Sequence, residues 1–199
     1  MHNVTVAIVY HSGYGHTARQ AAAVWRGANA VEGVTARLYA VEGADAPWAE
    51  LTNADALIFG APTYMGGQSA QFKAFQDATS KTVFAAGGLW RNKVAAGFTN
   101  SAARSGDKLA TLQQLAVFAA QHGMHWVNLG LPPGNNSSAG SEDDLNRLGF
   151  FMGAASQSNA DESPELAPPQ ADLLTAEHLG RRVAEVALRL AYGEAALAG

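Results

Sequence analysis

Short apolar runs recur along the chain at intervals that predict five strands separated by helices. The first run is almost continuously apolar, which is typical of a parallel strand buried on both faces. The second alternates apolar and polar positions. The five predicted strands are Val4–Tyr10, Val34–Ala40, Asp55–Gly60, Lys93–Thr99 and His125–Leu129.

Apolar residues spaced by three and four positions predict the helices between these strands. They cover His16–Asn29, Ala46–Asn53, Gln68–Thr79, Asp107–His122 and Thr175–Leu190. In the fourth helix we expect Asp107 to cap the amino end, Gly123 to end the helix, and a buried stripe that includes Leu109 and Leu112. Strands alternating with helices predict βαβ units and a parallel sheet.

The segment Leu131–Asp172 breaks this rhythm and is rich in proline, glycine and serine. A structureless loop of this length is uncommon inside a compact domain unless it is functional. The apolar island Leu148–Gly153 favours a segment that packs on something, and a partly disordered insertion is the alternative. We therefore expect one domain over residues 1–199, with 131–172 as a long insertion after the fifth strand.

Composition limits the possible functions. The chain of 199 residues is 48% apolar and 15% charged, which is enough apolar material for a real core. A net charge of −4 argues against nucleic-acid binding. There is no cysteine, so disulfides and thiolate chemistry are excluded and redox chemistry would need a bound cofactor.

The apolar runs and the position of the first predicted strand indicate where in the cell the protein is expected. No apolar run approaches the roughly 20 residues that cross a bilayer, so no membrane insertion is expected. The first predicted strand begins three residues after Met1 and leaves no room for a signal peptide. We expect a soluble cytoplasmic protein.

The loop after the first strand, YHSGYGHTAR, carries the G-x-G-x-x-A spacing of dinucleotide-binding loops, with Gly13, Gly15 and Ala18. Backbone N–H groups at the start of the following helix would point at an anion. A pyrophosphate needs little beyond bare backbone, and Glu42 lies near where a ribose-binding acid belongs in an NAD-binding domain.

Three polar side chains in the same loop favour a different ligand. Ser12, His16 and Thr17 add hydroxyl and imidazole donors. A terminal phosphomonoester carries more charge and three free oxygens, and such donors suit it better. The loop therefore favours the phosphate of FMN over the pyrophosphate of NAD. A simple tight turn before a capped helix is the remaining alternative.

Two further strand ends decide in favour of a mononucleotide. Gly60–Gly67 contains Pro62, Tyr64 and a Gly pair that lets a flat ligand approach. Thr99–Gly106 is small and polar, which suits hydrogen bonds to ring carbonyls and nitrogens. Because ligands bind outside the carboxyl ends of parallel strands, the three loops together predict a planar head lying across one sheet edge.

Four motifs then give a family resemblance: S-x-Y-G-H at Ser12–His16, G-x-P-T at Gly60–Thr63, G-G-L-W at Gly87–Trp90 and H-G-M at His122–Met124. In this order and spacing the chain resembles the flavodoxin-like NAD(P)H:quinone oxidoreductases of the WrbA type. The resemblance implies an α/β three-layer sandwich with a five-stranded parallel sheet in the order 2-1-3-4-5. It also implies FMN as cofactor, NAD(P)H as electron donor and a quinone as acceptor.

The resemblance also implies roles for particular residues. The FMN phosphate would be held by Ser12, Gly13, Tyr14, Gly15, His16 and Thr17. The isoalloxazine would lie between Pro62, Thr63, Tyr64, Met65 and Gly66 on one side and Asn100, Ser101 and Ala102 on the other. Trp90, and with it His122, would serve the substrate. The chain departs from the family pattern at two places. Tyr64-Met65 stands where the family has an Arg-Phe pair, and Asn100–Ser105 stands where the family has a glycine-rich loop.

Enzyme and carrier remain alternatives. A flavodoxin carrier sandwiches its flavin between aromatic side chains, and Asn100–Gly106 contains none, so one flavin face is expected to be open for hydride transfer. We expect no catalytic side chain and no metal site. A flavodoxin-type electron carrier, a non-catalytic FMN-binding protein or a classical NAD-binding domain would be the other interpretations.

Trp90 and His122 also predict an assembly. Both lie before a strand, at the amino end of the sheet, and a strand of about 5–6 residues, roughly 17–20 Å, separates them from the loops. If they serve the site, they must come from a neighbouring subunit. We therefore expect a homodimer or homotetramer, with Leu148–Gly153 offering apolar contact surface. A helix-end role for His122 and a packing role for Trp90 are the alternatives.

Overall fold

A parallel sheet with helices on both faces forms the centre of the chain. The computed structural model describes the backbone of residues 3–197 and the side chains of residues 3–193. Its strands are β1 (Val4–Tyr10), β2 (Val34–Ala40), β3 (Ala56–Tyr64), β4 (Gly67–Gln68), β5 (Val94–Ser101), β6 (His125–Trp126) and β7 (Ala154–Gln157). The α-helices are α1 (His16–Asn29), α2 (Trp48–Asn53), α3 (Ala70–Thr79), α4 (Lys108–Gln121) and α5 (Gln170–Leu197).

The strand order β2-β1-β3-β5-β6 is the predicted order 2-1-3-4-5 once the short β4 is set aside. The sheet nevertheless has seven strands within residues 3–197, not the predicted five. One extra strand arises because β3 runs on to Tyr64 and turns back as β4, which pairs with it in antiparallel fashion. The order reverses between β1 and β3, and a crevice for a ligand is expected at that edge.

The fifth strand position is divided between two distant parts of the chain. β6 pairs with β5 at Val94 and Ala95, whereas β7 pairs with it from Phe98 to Ser101. Residues 127–153 leave the sheet between them, and the Trp126 indole N–H spans the gap to the Met152 carbonyl at 3.0 Å. The insertion expected after the fifth strand therefore interrupts that strand, and 131–172 contains both β7 and the start of α5.

Two apolar cores lie on opposite faces of the sheet. One packs β1, β3 and β5 against α1 and α5, and the other is dominated by aromatic side chains beneath α3 and α4. The helices α1 and α5 touch backbone to backbone at two glycines. A Cβ atom on Gly27 would lie 1.8 Å from the Glu177 carbonyl oxygen, and one on Gly180 would lie 1.9 Å from that of Val24. Only glycine permits this approach.

The helix α4 differs from its predicted pattern at its first turn. Leu112 is buried as expected, but Leu109 is 45% exposed because Lys108, its neighbour, turns into the interior. Asp107 precedes the helix with a left-handed φ of 54°, and its side chain makes no capping hydrogen bond. Gly123 ends the helix with a φ of +68°, as predicted. Within residues 3–197, none of the helices combines the length and apolar character that a membrane crossing requires.

Candidate functional site

A cavity of about 590 Å³ opens at the carboxyl ends of β1, β3 and β5. It lies at the edge where the strand order reverses, between the three loops that the sequence singles out. Its walls are Tyr14, His16, Thr17, Pro62, Thr63, Tyr64, Met65, Asn100, Ser101, Ala102, Ser158 and Ala160. Ten of the predicted cofactor-binding residues therefore meet in one cavity. Ser12, Gly13, Gly15 and Gly66 belong to the same loops but do not line the cavity.

Ser12 shapes the loop before α1 from within. Its Oγ accepts hydrogen bonds from the backbone N–H groups of Gly15 at 3.1 Å and Ala18 at 3.0 Å. Gly15 takes a left-handed φ of 88°, which turns the chain into the helix. The hydrogen bonds among residues 3–197 leave the N–H groups of His16 and Thr17 without a protein acceptor. These two donors at a helix start form a ready anion site.

The imidazole of His16 is used differently from the prediction. Its Nε2 lies 2.9 Å from the Glu162 carbonyl oxygen, so Nε2 carries the proton and the ring is fixed to the segment after β7. Arg19 binds the Pro164 carbonyl of the same segment. His16 thus lines the cavity with a ring whose Nε2 proton is already in use, and its backbone N–H is the donor left to a ligand.

Two tyrosines stand at the entrance of the cavity. The rings of Tyr14 and Tyr64 meet edge to face, with centroids 6.1 Å apart. Burial raises the pKa of the Tyr64 phenol, while a hydrogen bond from the backbone of Gly13 opposes this shift. Tyr64 thereby ties the hairpin of β3 and β4 to the loop before α1. Met65 and Gly66 form the tip of this hairpin with positive φ angles of 48° and 88°.

Thr63 and Asn100 face the interior with the polar atoms that the sequence suggested for a ligand. The Thr63 hydroxyl lies 2.8 Å from those of both Thr99 and Thr111. The Asn100 Oδ1 accepts hydrogen bonds from Ser156 Oγ at 2.8 Å and Ser158 Oγ at 2.9 Å. Because Oδ1 is fully occupied, the Asn100 amide group has only its NH₂ to offer to the cavity.

The contribution of β7 is the part of the site that sequence reasoning missed. Ser158 and Ala160 wall the cavity on the side of β5, and the Ser158 N–H binds the Ser101 carbonyl at 3.1 Å. The alternating Ser156 and Ser158 after a small-residue run were the available signal. They went unrecognised because they lie in the segment assigned to the insertion.

Trp90 and His122 do not reach this cavity. Trp90 is 0% exposed and packs among Phe59, Phe75 and Phe118 in the core beneath α3 and α4. A fully enclosed indole cannot stack on a bound nucleotide, so in this chain Trp90 has the packing role that was the alternative to the substrate role.

His122 lies beside Trp90, with ring centroids 5.0 Å apart. The Thr79 hydroxyl donates its proton to the Gln76 carbonyl at 2.6 Å, so it accepts from His122 Nε2 at 2.9 Å. Burial lowers the pKa of His122, which favours the neutral imidazole. His122 borders a separate cleft of about 730 Å³ between α3 and α4. Its position within one chain therefore gives it no contact with the strand-end cavity.

Comparison with known proteins agrees with this geometry. Residues 39–133 match the family model described as NADPH-dependent FMN reductase. Flavodoxin FldP of Pseudomonas aeruginosa is 44% identical, covering 92% of this chain and 96% of that protein. An NAD(P)H dehydrogenase (quinone) of Aromatoleum aromaticum is 33% identical to this chain. The alignment covers 96% of this chain and 99% of the Aromatoleum protein.

Solved structures show the same fold. The WrbA-like flavodoxin from Agrobacterium tumefaciens superimposes with a TM-score of 0.73 at 42% identity, covering 94% of this chain and 98% of that one. A flavodoxin from the domain Archaea, at 18% identity and a TM-score of 0.62, shares the fold alone; that match covers 93% of this chain and 99% of the archaeal one. The chain therefore belongs to the flavodoxin-like NAD(P)H:quinone oxidoreductase family of the WrbA type.

Proposed function

We propose that this protein binds FMN in the strand-end cavity and transfers two electrons from NAD(P)H to quinones. The observation that carries the proposal is the meeting of three strand-end loops around one cavity, with two free N–H groups at the start of α1. The names of relatives such as the NAD(P)H dehydrogenase (quinone) of Aromatoleum aromaticum supply the donor and acceptor classes.

The residues present fit FMN. The N–H groups of His16 and Thr17 would hold its phosphate at the positive end of the helix dipole, and Ser12 would keep that loop in shape. The planar ring system would lie between the hairpin that carries Tyr64 and the strand end at Asn100. FMN supplies the redox chemistry when bound, and the protein's part is to bind, orient and partly shield it.

The loop after β5 favours an enzyme over a carrier. Residues 102–105 are exposed and contain no aromatic side chain, so this side of the cavity leaves room for a second planar molecule. An electron carrier is the second candidate, and the 44% identity to flavodoxin FldP favours it. The two functions differ in one measurable property, since only the enzyme turns over with NAD(P)H and a soluble benzoquinone.

A titration and a steady-state assay test the proposal. The purified protein should bind FMN far more tightly than riboflavin, and should oxidise NADH or NADPH with a benzoquinone as acceptor. Replacing Ser12→Ala together with Thr17→Val should weaken FMN binding by about 10- to 100-fold. The change removes the acceptor that shapes the phosphate loop and a hydroxyl that would reach the charged phosphate, and a hydrogen bond to a charged group is worth about 1.5–3 kcal/mol. Riboflavin binding should be unchanged by this pair.

The matched control is Thr35→Val, a threonine on β2 whose hydroxyl pairs with Asn3 away from the cavity. It should leave both affinities unchanged. Equal affinity for FMN and riboflavin in the unaltered protein would refute the assignment of the phosphate loop. FMN binding without any turnover of NAD(P)H would favour the carrier.

A further inference from the structure

A buried lysine lies directly beneath the loop after β5. Lys108, in the first turn of α4, is 0% exposed although lysine is normally a surface residue. Its ammonium donates hydrogen bonds to three consecutive backbone carbonyls: Ala103 at 2.5 Å, Arg104 at 2.8 Å and, more weakly, Ser105 at 3.5 Å. An ammonium has three N–H donors, and all three are directed at this loop.

The carbonyls that face Lys108 fix the direction of the neighbouring N–H groups. In a trans peptide the C=O and the following N–H point to opposite sides. The N–H groups of Arg104, Ser105 and Gly106 are therefore turned away from the ammonium, and the hydrogen bonds among residues 3–197 give them no protein acceptor. The loop thus presents donors outward because a cation holds its acceptors inward.

Other contacts also hold the same loop. Gln157 Nε2, on β7, donates to the Ala102 carbonyl at 2.9 Å. The Arg104 guanidinium pairs with Glu142 of the insertion at 2.6 Å. The Ser101 hydroxyl also donates to the Ala103 carbonyl at 3.1 Å. Lys108 differs from these contacts in joining three successive carbonyls of the loop through one cation.

The charge at this position depends on its surroundings. Burial lowers the pKa of Lys108 to about 8, the Asp172 carboxylate raises it and the Arg147 guanidinium lowers it further. Arg147 and Asp172 themselves form a two-point ion pair at 2.8 and 2.9 Å. Lys108 is therefore charged at neutral pH and loses its proton in the pH range around 8.

We infer that Lys108 is a positioning residue of the cofactor site, whose buried ammonium fixes the loop of residues 102–106, which lines the cavity at Ala102 and would contact the flavin ring there. The inference rests on the proposed function for the identity of the ligand.

The test compares Lys108→Met with Lys93→Met. Lys93 is the matched control: its ammonium also binds a backbone carbonyl, that of Ala54, and burial also lowers its pKa, but it lies before β5 at the opposite end of the sheet. Lys108→Met should raise the Kd for FMN and for riboflavin by a similar factor, about tenfold, which corresponds to about 1.4 kcal/mol of contact with the ring. Lys93→Met should leave both values unchanged.

Hydrogen exchange of the apoprotein measures the stability of the loop without any flavin. The N–H groups of residues 108 and 110 donate to the Ser105 and Asp107 carbonyls of this loop at 3.2 and 2.9 Å, so these two amides should lose protection in Lys108→Met and keep it in Lys93→Met. Unchanged exchange of these two amides, or unchanged affinities for both flavins, would overturn the inference. If the unaltered protein binds no flavin at all, the proposed function fails, while the exchange measurement still reports whether Lys108 holds the loop.

A pH series on the unaltered protein decides the matter even if Lys108→Met does not fold. One pH unit above its pKa only about a tenth of a lysine remains charged. Between pH 7 and pH 9 the protection factors of the amides of residues 108 and 110 should fall several-fold and the Kd for FMN should rise, while protection in β3 stays constant. Where Lys108→Met folds, its Kd should be flat over this range. Protection of the amides of residues 108 and 110 that is constant from pH 7 to pH 9 would contradict the inference.

Discussion

Polar side chains in and around the cavity hold neighbouring parts of the protein together. Ser12, Thr63 and Asn100 all occur in the predicted loops, and each uses its side chain to hold other parts of the protein. A hydroxyl that binds a ligand and a hydroxyl that supports a loop are the same residue type at the same position. Only the three-dimensional neighbours distinguish them, so sequence could not.

His122 is a residue whose titration follows from its burial in this chain. Because burial lowers its pKa, the folded protein resists protonation of this imidazole. Below about pH 6.5 the unfolded chain binds a proton that the folded chain does not, so the free energy of unfolding falls as the pH falls, by up to about 1.4 kcal/mol per pH unit for one such group.

His122→Gln should therefore flatten the dependence of unfolding free energy on pH between 7.5 and 5, as measured by urea denaturation. Burial also lowers the pKa of His178, whose ring binds the Leu129 carbonyl, so His178→Gln should remove a separate part of the slope. An unchanged slope in His122→Gln would show that this ring is already solvated in the folded protein.

Helices and strands were predicted best where local pattern and tertiary packing agree. β1, α1 and β2 match their predicted bounds, because each has one continuous pattern and a turn on either side. The fifth strand does not, since β6 and β7 are brought together only by pairing with β5. The pattern of His125–Leu129 cannot indicate that β7, which lies beyond residue 150, completes the same strand position.

The contact between α1 and α5 gives a prediction at this scale. Gly27→Ala should destabilise the protein by about 2 kcal/mol or more, because its Cβ would collide with the Glu177 backbone in the closest helix contact. Alanine is otherwise the better helix former by about 1 kcal/mol. Thermal or urea denaturation would measure the change.

Gly193→Ala on α5 is the matched control, because a Cβ there meets nothing within 4 Å. It should be neutral or stabilise the protein by up to about 1 kcal/mol. A Gly27→Ala protein as stable as the unaltered one would mean that the two helices separate without cost.

The whole chain exposes apolar side chains away from the cavity. Phe151, in the apolar island of the insertion, is 60% exposed, and Phe84 and Val117 are exposed beside the cleft between α3 and α4. We propose on this basis that the protein forms a homodimer or homotetramer, with the island in the contact. Exposed aromatic surface of this kind is a common feature of interfaces.

Light scattering at assay concentration should accordingly give two or four times the mass of one chain. Phe151→Glu should shift the protein towards the monomer, whereas Leu38→Glu, at an exposed apolar position on the edge strand β2, should not. A fully active monomer of the unaltered protein would rule out an obligatory assembly.

The divided fifth strand has a consequence for the order in which the molecule folds. β6 lies close along the chain to the helix that precedes it and can join β5 early. β7 must first close the loop of residues 127–153, which costs additional chain entropy before any pairing is gained. Ser156 and Ser158, which fix the orientation of Asn100, arrive with β7. The sheet can therefore be complete at its amino-terminal edge while the pocket at the other edge still lacks a wall, so competence to bind a ligand is acquired last.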